Sequence, residues 1–175
     1  MRRAAFISKV TTGDQAEQFE GLVREYVAWL PFSLEFQGID GELEQLRSEY
    51  GPPGGAAFLA YDGDGDEAIG CVALRRLSEG VAELKRMYVR PAARGKGSGS
   101  ALCESAIACA RDLGYSCIRL DTVAELTAAA EIYMRAGFVE IPPYRDNPLE
   151  SARYYELRLS PPPADHGPLD HDPAS

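Results

Sequence analysis

A glycine-rich segment at residues 94–102 is the part of this sequence best suited to bind an anion. It reads RGKGSGSAL and combines Arg94 and Lys96 with three alternating glycines. Apolar residues at helical spacing follow, so the segment starts a helix. Amide N–H groups at a helix N-terminus bind phosphate together with the helix dipole, and glycines let the phosphate come close. We therefore predict a phosphate-binding loop, with a solvated turn that only starts the helix as the alternative.

Two familiar nucleotide-binding motifs do not fit this segment. The dinucleotide fingerprint G-x-G-x-x-G, read from Gly95, requires glycine at position 100, where the chain has Ser100. The mononucleotide loop G-x-x-x-x-G-K-[ST] requires lysine after its last glycine, but Gly99 is followed by serine. The spacing that remains is R-x-x-G-x-G, after a strand ending in MYV and a turn at Pro91.

Length and charge limit the range of partners. The chain has 175 residues, which is about one domain and enough to bury a core. It carries 27 acidic and 18 basic residues, a formal net charge of -9. Nucleic-acid binding depends on a field of Lys and Arg, so we predict no nucleic-acid partner.

The histidines and cysteines exclude several common reactions. His166 and His171 both lie in the C-terminal tail. A Ser-His-Asp triad, a Cys-His pair and a histidine-ligated zinc site each need a histidine fixed inside a packed site. The four cysteines show no C-x-x-C pattern, and we interpret them as small core residues. We therefore predict no metal site.

Hydrophobic periodicity predicts an α/β (α+β) fold with a mixed, mostly antiparallel sheet of six to seven strands and about four helices. The predicted strands cover 4–10, 56–61, 68–76, 81–89, 117–123, 138–142 and 152–159. Helices are predicted from the TTGD turn at 11–14 to Pro31, over 41–50, after the glycine loop and over 127–136. The buried stripes predicted for the first and third of them are Phe19, Leu22, Val23, Tyr26, Val27 and Leu30, and Leu102, Ala106, Cys109 and Leu113. Short connections between the three strands from 56 to 89 predict hairpins, with β-α-β units after them.

The two ends of the chain are expected to contribute little. From residue 160 the composition turns to Pro, Asp, Gly and Ser, which predicts a single domain over 1–159 and a disordered tail over 160–175. The opening MRRAAFISKV is not followed by the apolar region of a signal peptide, and no apolar run approaches the length of a membrane span. The expected location is the cytoplasm, with no membrane partner.

Three segments in order resemble the GNAT superfamily of CoA-dependent acetyltransferases. They are VAELKRMYVRPAARGKGSGSAL at 81–102, LGYSCIRLDT at 113–122 and IYMRAGF at 132–138, within a resemblance that extends over 4–159. The resemblance implies a GNAT-like acyl-CoA N-acyltransferase fold. It also implies that the glycine loop holds the pyrophosphate of CoA and that acetyl-CoA is the cosubstrate.

The same resemblance implies where CoA binds. In the family, the strand before the loop separates from its neighbour, and its free backbone groups bind the pantetheine arm and the thioester oxygen. Together with the loop, this implies the cofactor-binding residues Met87, Val89, Arg94, Gly95, Lys96, Gly97, Ser98, Gly99 and Ser100.

Tyr133 is the implied proton donor. Acetyl transfer to an amine requires a neutral nucleophile, a polarised thioester carbonyl and a proton for the departing thiolate. Tyr133 in IYMRAGF matches the family position whose phenol gives this proton to the CoA sulfur. If the family resemblance is set aside, a tyrosine on a helix is more often a packing residue. A packing role is therefore the alternative for Tyr133.

Glu83 is the implied general base. It matches a position at which several family members have a carboxylate that acts directly or through water. Strand alternation predicts that Glu83, Lys85, Met87 and Val89 share one face, if the strand has no bulge. An ion pair between Glu83 and Lys85 fits the sequence equally well, and the two roles remain open.

The acceptor is expected to lie against the first two helices, a late hairpin and the final strands. The aromatic candidates there are Trp29, Phe32, Phe36 and Tyr144. The acidic candidates are Glu35, Asp146 and Glu150, and Arg145 is a basic candidate for binding a substrate carboxylate. These side chains do not indicate whether the acceptor is an amino acid, a polyamine, an antibiotic or a peptide N-terminus.

The sequence therefore predicts an N-acetyltransferase that passes acetyl from acetyl-CoA to a primary amine of a small molecule or peptide in a ternary complex. A non-catalytic CoA or acyl-CoA sensor is the alternative. Dimers are common in the family, so a homodimer is a further expectation by analogy.

Overall fold

The computed structural model describes residues 5–34, 38–63 and 65–160. Within them the chain forms seven strands, five α-helices and one 3-10 turn at Pro91–Ala93. The strands are β1 Phe6–Lys9, β2 Ala56–Tyr61, β3 Ala68–Ser78, β4 Val81–Val89, β5 Cys117–Val123, β6 Val139–Ile141 and β7 Ala152–Arg158. The helices are α1 Gly13–Trp29, α2 Ile39–Glu44, α3 Leu46–Glu49, α4 Ser98–Asp112 and α5 Thr127–Arg135. The predicted tail lies outside the described residues from position 161.

The seven strands form one mixed sheet, in the order β1-β2-β3-β4-β5-β7-β6. Neighbouring strands are antiparallel except β4 and β5, which are parallel. Their parallel pairing covers only Val81–Glu83 against Cys117–Arg119. Beyond that point the two strands separate, which opens a gap in the middle of the sheet.

The sheet has a hydrophobic core on each face. One core packs α4 and α5 against the sheet, with Leu102, Ala106, Leu84 and Ile118 buried in it. The other packs α1 and α2 against the opposite face through residues such as Phe19, Leu22 and Leu59. This mixed sheet with helices on both faces confirms the predicted fold class.

The first helix begins as the sequence predicts. Thr12 is its N-cap, and the Thr12 side chain accepts a hydrogen bond from the amide of Gln15 at 3.3 Å. The Gln15 side chain in turn accepts one from the Thr12 amide at 3.2 Å, which completes a capping box. Phe19, Leu22 and Val23 of the predicted stripe are buried.

Two helical predictions need correction. The segment 41–50 is not one helix but the short α2 and α3, because the Gln45 amide bonds back to Gly41 and Glu42 and closes α2. In α4 the buried face runs through Leu102, Cys103, Ala106, Ile107 and Ala110, whereas Leu113 is 41% exposed. Apolar residues at neighbouring positions allow two overlapping stripes at helical spacing, and packing against the sheet selects the one that includes Ile107.

Strand β4 contains a bulge that changes which side chains share a face. The register against β3 shifts between the pairs Ala73–Lys85 and Cys71–Tyr88, and Arg86 there has φ +56°. Met87 and Val89 consequently pack against the α4/α5 core. The prediction that both share a face with Glu83 and Lys85 is therefore wrong, because the extra residue reverses the alternation.

Candidate active site

A small cavity lies where β4 and β5 separate. Its walls come from both strands, α1, α5 and the segment between β6 and β7. Its volume is ≈ 50 Å³, which is room for a few water-sized groups. Lys85, Met87, Asp121, Tyr133 and Asn147 are among the residues that line it.

Tyr133 reaches this cavity from α5. It is only 5% exposed, and its ring packs against Phe138 and Tyr155 at centroid distances of 5.8 and 6.4 Å. Although its phenol lines the cavity, no residue that the structure describes forms a hydrogen bond with it. Burial raises the pKa of Tyr133 well above its ordinary value of 10.0, so the phenol keeps its proton at neutral pH. A buried phenol with an unused proton beside a cavity is suited to donate to a bound group.

The glycine loop is shaped as an anion site. Gly95 and Gly97 have φ of +78° and +85°, a region that side chains rarely adopt, and a Cβ at either would meet nothing within 4 Å. Gly97 is the N-cap of α4, and its carbonyl accepts the hydrogen bond of the Ala101 amide at 3.0 Å. The amides of the first helical turn, residues 98–100, are therefore the donors left for a ligand.

Ser98 provides an independent sign of a bound group. Its hydroxyl is the one side-chain polar atom in the described part of the chain that is completely shielded from solvent and has no hydrogen-bond partner. Leaving a buried hydroxyl unpaired costs about 1–3 kcal/mol. The hydroxyl lies at the start of α4 beside the open glycine loop, so a phosphate oxygen would fit it as an acceptor. The donors present thus fit the pyrophosphate of CoA.

Gly99 has a different reason to be glycine. A Cβ at this position would come within 2.7 Å of the Ile132 Cδ1 on α5. The missing side chain avoids this contact between α4 and α5, which an added Cβ would relieve only by a shift of the flexible Ile132 side chain. Close approach of a phosphate is not needed to explain this glycine.

The two basic side chains of the loop already contact the protein. The Arg94 guanidinium lies 4.4 Å from the centroid of the Trp29 ring, and its Nε donates to the Val89 carbonyl at 2.9 Å. Lys96 Nζ lies 3.4 Å from Asp62 Oδ2. Arg94 therefore joins α1, the loop and the end of β4, and it uses a carbonyl that the family resemblance assigns to pantetheine.

Glu83 is fully buried and surrounded by donors. Its Oε1 accepts from Arg75 Nε at 3.0 Å, and its Oε2 accepts from the Tyr144 hydroxyl at 2.7 Å and also from Arg145. Lys85 Nζ is more distant from Oε1, at 4.0 Å. With both oxygens occupied, the carboxylate is better placed to hold the segment between β6 and β7 than to take a proton from a substrate.

Other candidates from the sequence fall into three groups. Phe32 lines the cavity, whereas Trp29 contacts Arg94 and Tyr144 contacts Glu83. Asp146 and Glu150 are exposed. Glu35 and Phe36 lie outside the described residues.

Sequence reasoning missed Asp121, which lines the cavity from β5, and Lys85 as a cavity residue. Burial, followed by the charge of Arg86, lowers the pKa of Lys85 to about 8, although Glu83 and Asp121 oppose the shift. The available signal for Asp121 was the one carboxylate of its strand, in the segment CIRLDTV.

The cysteines and the acidic groups offer no competing centre. All four cysteines are free thiols, and burial raises the pKa of each, which disfavours a thiolate nucleophile. Among the described residues no cluster of His, Cys, Asp and Glu could hold a metal ion. No helix in the same residues is long and apolar enough to cross a membrane.

Known proteins are similar to this chain in sequence and in fold. The acetyltransferase (GNAT) family matches residues 22–138. An uncharacterized N-acetyltransferase of Schizosaccharomyces pombe is 38% identical over 155 residues, which are 88% of this chain and 94% of that protein. An uncharacterized N-acetyltransferase of Escherichia coli, YjgM, is 34% identical over 58% of this chain and 62% of its own length.

Solved structures agree at the level of the fold. A GNAT-family acetyltransferase from Staphylococcus aureus superposes with a TM-score of 0.72 at 22% identity, covering 90% of this chain and 100% of that one. The PaiA N-acetyltransferase of Thermoplasma acidophilum, solved in complex with coenzyme A, has a TM-score of 0.67 at 18% identity over 90% of this chain and 100% of its own.

Proposed function

Because this chain belongs to the GNAT family of acetyltransferases, we propose that it transfers acetyl from acetyl-CoA directly to a primary amine of a small molecule or peptide in a ternary complex. The observation that carries the proposal is the buried phenol of Tyr133, which has no described partner and lines the cavity where β4 and β5 separate. The coenzyme A bound to the structural relative from Thermoplasma acidophilum supports the choice of cosubstrate.

We assign separate binding and catalytic roles to residues of this chain. The amides of residues 98–100 and the Ser98 hydroxyl hold the pyrophosphate. The edge of β4 that faces β5 has no strand partner after Glu83, so its backbone groups near Met87 are available to the pantetheine arm, whereas the Val89 carbonyl already accepts from Arg94. Acetyl-CoA supplies the activated thioester. As the new C–N bond forms and the C–S bond breaks, Tyr133 gives its proton to the sulfur, and the neutral amine loses one proton, which returns through solvent to the Tyr133 phenolate.

The direct test is to detect product. The protein is incubated with acetyl-CoA and a panel of L-lysine, L-methionine, spermidine, kanamycin and a short peptide with a free N-terminus, and acetylated amines are identified by mass spectrometry. Acetylation of a panel member supports the proposal. Tight binding of acetyl-CoA with no acetylated product would favour the CoA sensor instead.

Replacing Ser98 with alanine should weaken acetyl-CoA binding without weakening the fold. The hydroxyl has no described partner, so its removal should leave the melting temperature of the ligand-free protein unchanged or raise it. The dissociation constant for acetyl-CoA, measured by calorimetry, should rise by about 3–10-fold, the usual value of one hydrogen bond. Ser105→Ala is the matched control on the same helix, because that hydroxyl already donates to the Ala101 carbonyl at 2.9 Å. Equal affinities of both variants and the wild type would remove Ser98 from the binding site.

Replacing Glu83 with glutamine should cost stability more than it changes the chemistry. A neutral amide cannot balance Arg75 and Arg145, and we expect the free energy of unfolding to fall by about 2–3 kcal/mol. The acid limb of the pH–rate profile should keep its position, because Glu83 acts here as a positioning residue. The control is Glu140→Gln, which breaks an exposed pair with Arg153. A flattened acid limb with a more than hundredfold loss of kcat would instead identify Glu83 as the general base.

A further inference from the structure

Asp121 occupies a distinctive position in the gap between the separated strands. It lies on β5 two residues beyond Arg119, the last residue that pairs with β4. Ile118 and Leu120 are buried in the α4/α5 core, so alternation directs Asp121 towards the opposite face, where α1 and α2 pack. Tyr133 lines the same cavity from the α5 side. The cavity thus has a phenol from one face of the sheet and a carboxylate from the other.

Asp121 is half-buried and forms no ion pair with a described residue, although Lys85 lines the same cavity and its charge interacts with that of Asp121. The buried carboxylates each have an arginine close by: Glu42 pairs with Arg86, Glu83 with Arg75, and Glu156 with Arg119. The contact that Asp121 has is with Asn147, whose Nδ2 lies 3.5 Å from Oδ2, at the limit of a hydrogen bond. Asn147 is itself fixed by the Leu149 amide, which donates to its Oδ1 at 2.9 Å.

The negative charge of Asp121 acts throughout the cavity. Burial is the main cause of the raised pKa values of Tyr26, Tyr133 and Tyr144, and the charge of Asp121 adds to each. The groups that face it therefore come from α1, α5 and the segment after β6, as well as Lys85 from β4. A half-buried carboxylate that forms no ion pair with a described residue, in a small cavity with hydroxyl-bearing rings, is complementary to an ammonium group.

We propose that Asp121 binds the ammonium group of the acceptor, and that the substrate is a primary amine that enters the site as a cation from the α1/α2 face and releases one proton to solvent before it attacks the thioester as the neutral amine. This inference rests on the proposed function and names its acceptor subsite. Asp121 holds the nitrogen at the gap between β4 and β5, on the opposite side of the sheet from the glycine loop. Asn147 positions the carboxylate.

The test compares Asp121→Asn, which keeps the shape and removes the charge, with Glu131→Gln, which removes an exposed charge from α5. With whichever amine of the panel the wild type acetylates, Asp121→Asn should lower kcat/KM for the amine by about 10–100-fold, mainly through KM. KM for acetyl-CoA and thermal protection by CoA should stay unchanged. Glu131→Gln should behave as the wild type. An amine KM within twofold of the wild type in Asp121→Asn would overturn the inference.

Calorimetric titration of the same amines into the CoA-bound protein separates this inference from the proposed function. Amine binding that is lost in Asp121→Asn supports the subsite even if no acetylated product forms, a result that would count against the enzyme activity alone. If the wild-type protein binds none of the amines, the subsite is overturned. Turnover that survives unchanged in Asp121→Asn would keep the enzyme and reject the subsite.

Discussion

Replacing Tyr133 with phenylalanine is expected to lower kcat by about 10²–10⁴-fold, the usual contribution of a positioned general acid. The ring and its contacts with Phe138 and Tyr155 remain, so the variant loses the proton donor and little packing. Because burial raises the pKa of the phenol well above 10.0, ionisation of Tyr133 should not limit the wild-type rate at neutral or mildly basic pH. The measurement is the rate of CoA release at saturating acetyl-CoA and amine.

Tyr155→Phe is the control for this substitution, since Tyr155 belongs to the same core and contacts the Tyr133 ring from β7. We expect it to keep kcat within a few-fold of the wild type. The dissociation constant for acetyl-CoA should be similar in all three proteins. Unchanged turnover in Tyr133→Phe would remove this tyrosine from the mechanism and leave it as a packing residue.

Replacing Glu42 with alanine is expected to lower the free energy of unfolding by about 3–5 kcal/mol, because it leaves a buried guanidinium without its counter-charge. Arg86 donates from Nε to Glu42 Oε1 at 2.9 Å and from its second terminal nitrogen to Oε2 at 2.6 Å. The Tyr50 hydroxyl donates to the same carboxylate. Burial would raise the pKa of Glu42, but the hydrogen bonds and charge of Arg86 lower it overall, so the carboxylate is ionised.

For a chain of this size, that loss corresponds to a fall of roughly 6–20 °C in melting temperature, measurable by thermal denaturation. Glu20→Gln removes an exposed carboxylate that pairs with Arg24 one helical turn away, and should change stability by less than about 0.5 kcal/mol. The double variant Glu42→Met with Arg86→Met should recover part of the loss, because it removes both charges of this buried pair. A stable Glu42→Ala protein would show that water or another group compensates Arg86.

The Glu42–Arg86 pair also connects stability to the site. Arg86 lies at the bulge of β4, and the pair ties that bulge to α2. The bulge in turn directs Met87 and Val89 towards the α4/α5 face. A strand without it would present these residues to the other side of the sheet, away from the glycine loop.

Local patterns in the sequence were sufficient to predict most elements of this fold. The turn at 11–14 that starts α1 and the stripe that includes Phe19 are local patterns, and the structure confirms both. The bulge at Arg86 could not be predicted in this way, because VAELKRMYV contains no glycine to mark a positive φ. Contacts with α2, which is distant in sequence, stabilise it.

The candidate site divides in a similar way. The anion loop is a local feature. The positive φ values of Gly95 and Gly97 agree with the phosphate-binding loop predicted from the spacing of the glycines. The close contact at Gly99 involves Ile132 of another helix, and the place of Asp121 in the cavity depends on where β4 and β5 separate. Neither can be read from spacing, because each results from tertiary packing.

The central claim is that this chain moves acetyl from acetyl-CoA to an amine, and release of free CoA thiol tests it most directly. The thiol is measured with and without each amine of the panel, after subtracting the protein's own four cysteines. Our account predicts release that depends on the amine, saturates with it, and is lost in Tyr133→Phe. No amine-dependent release, in a protein that acetyl-CoA clearly protects against thermal unfolding, would contradict it and identify a CoA-binding module.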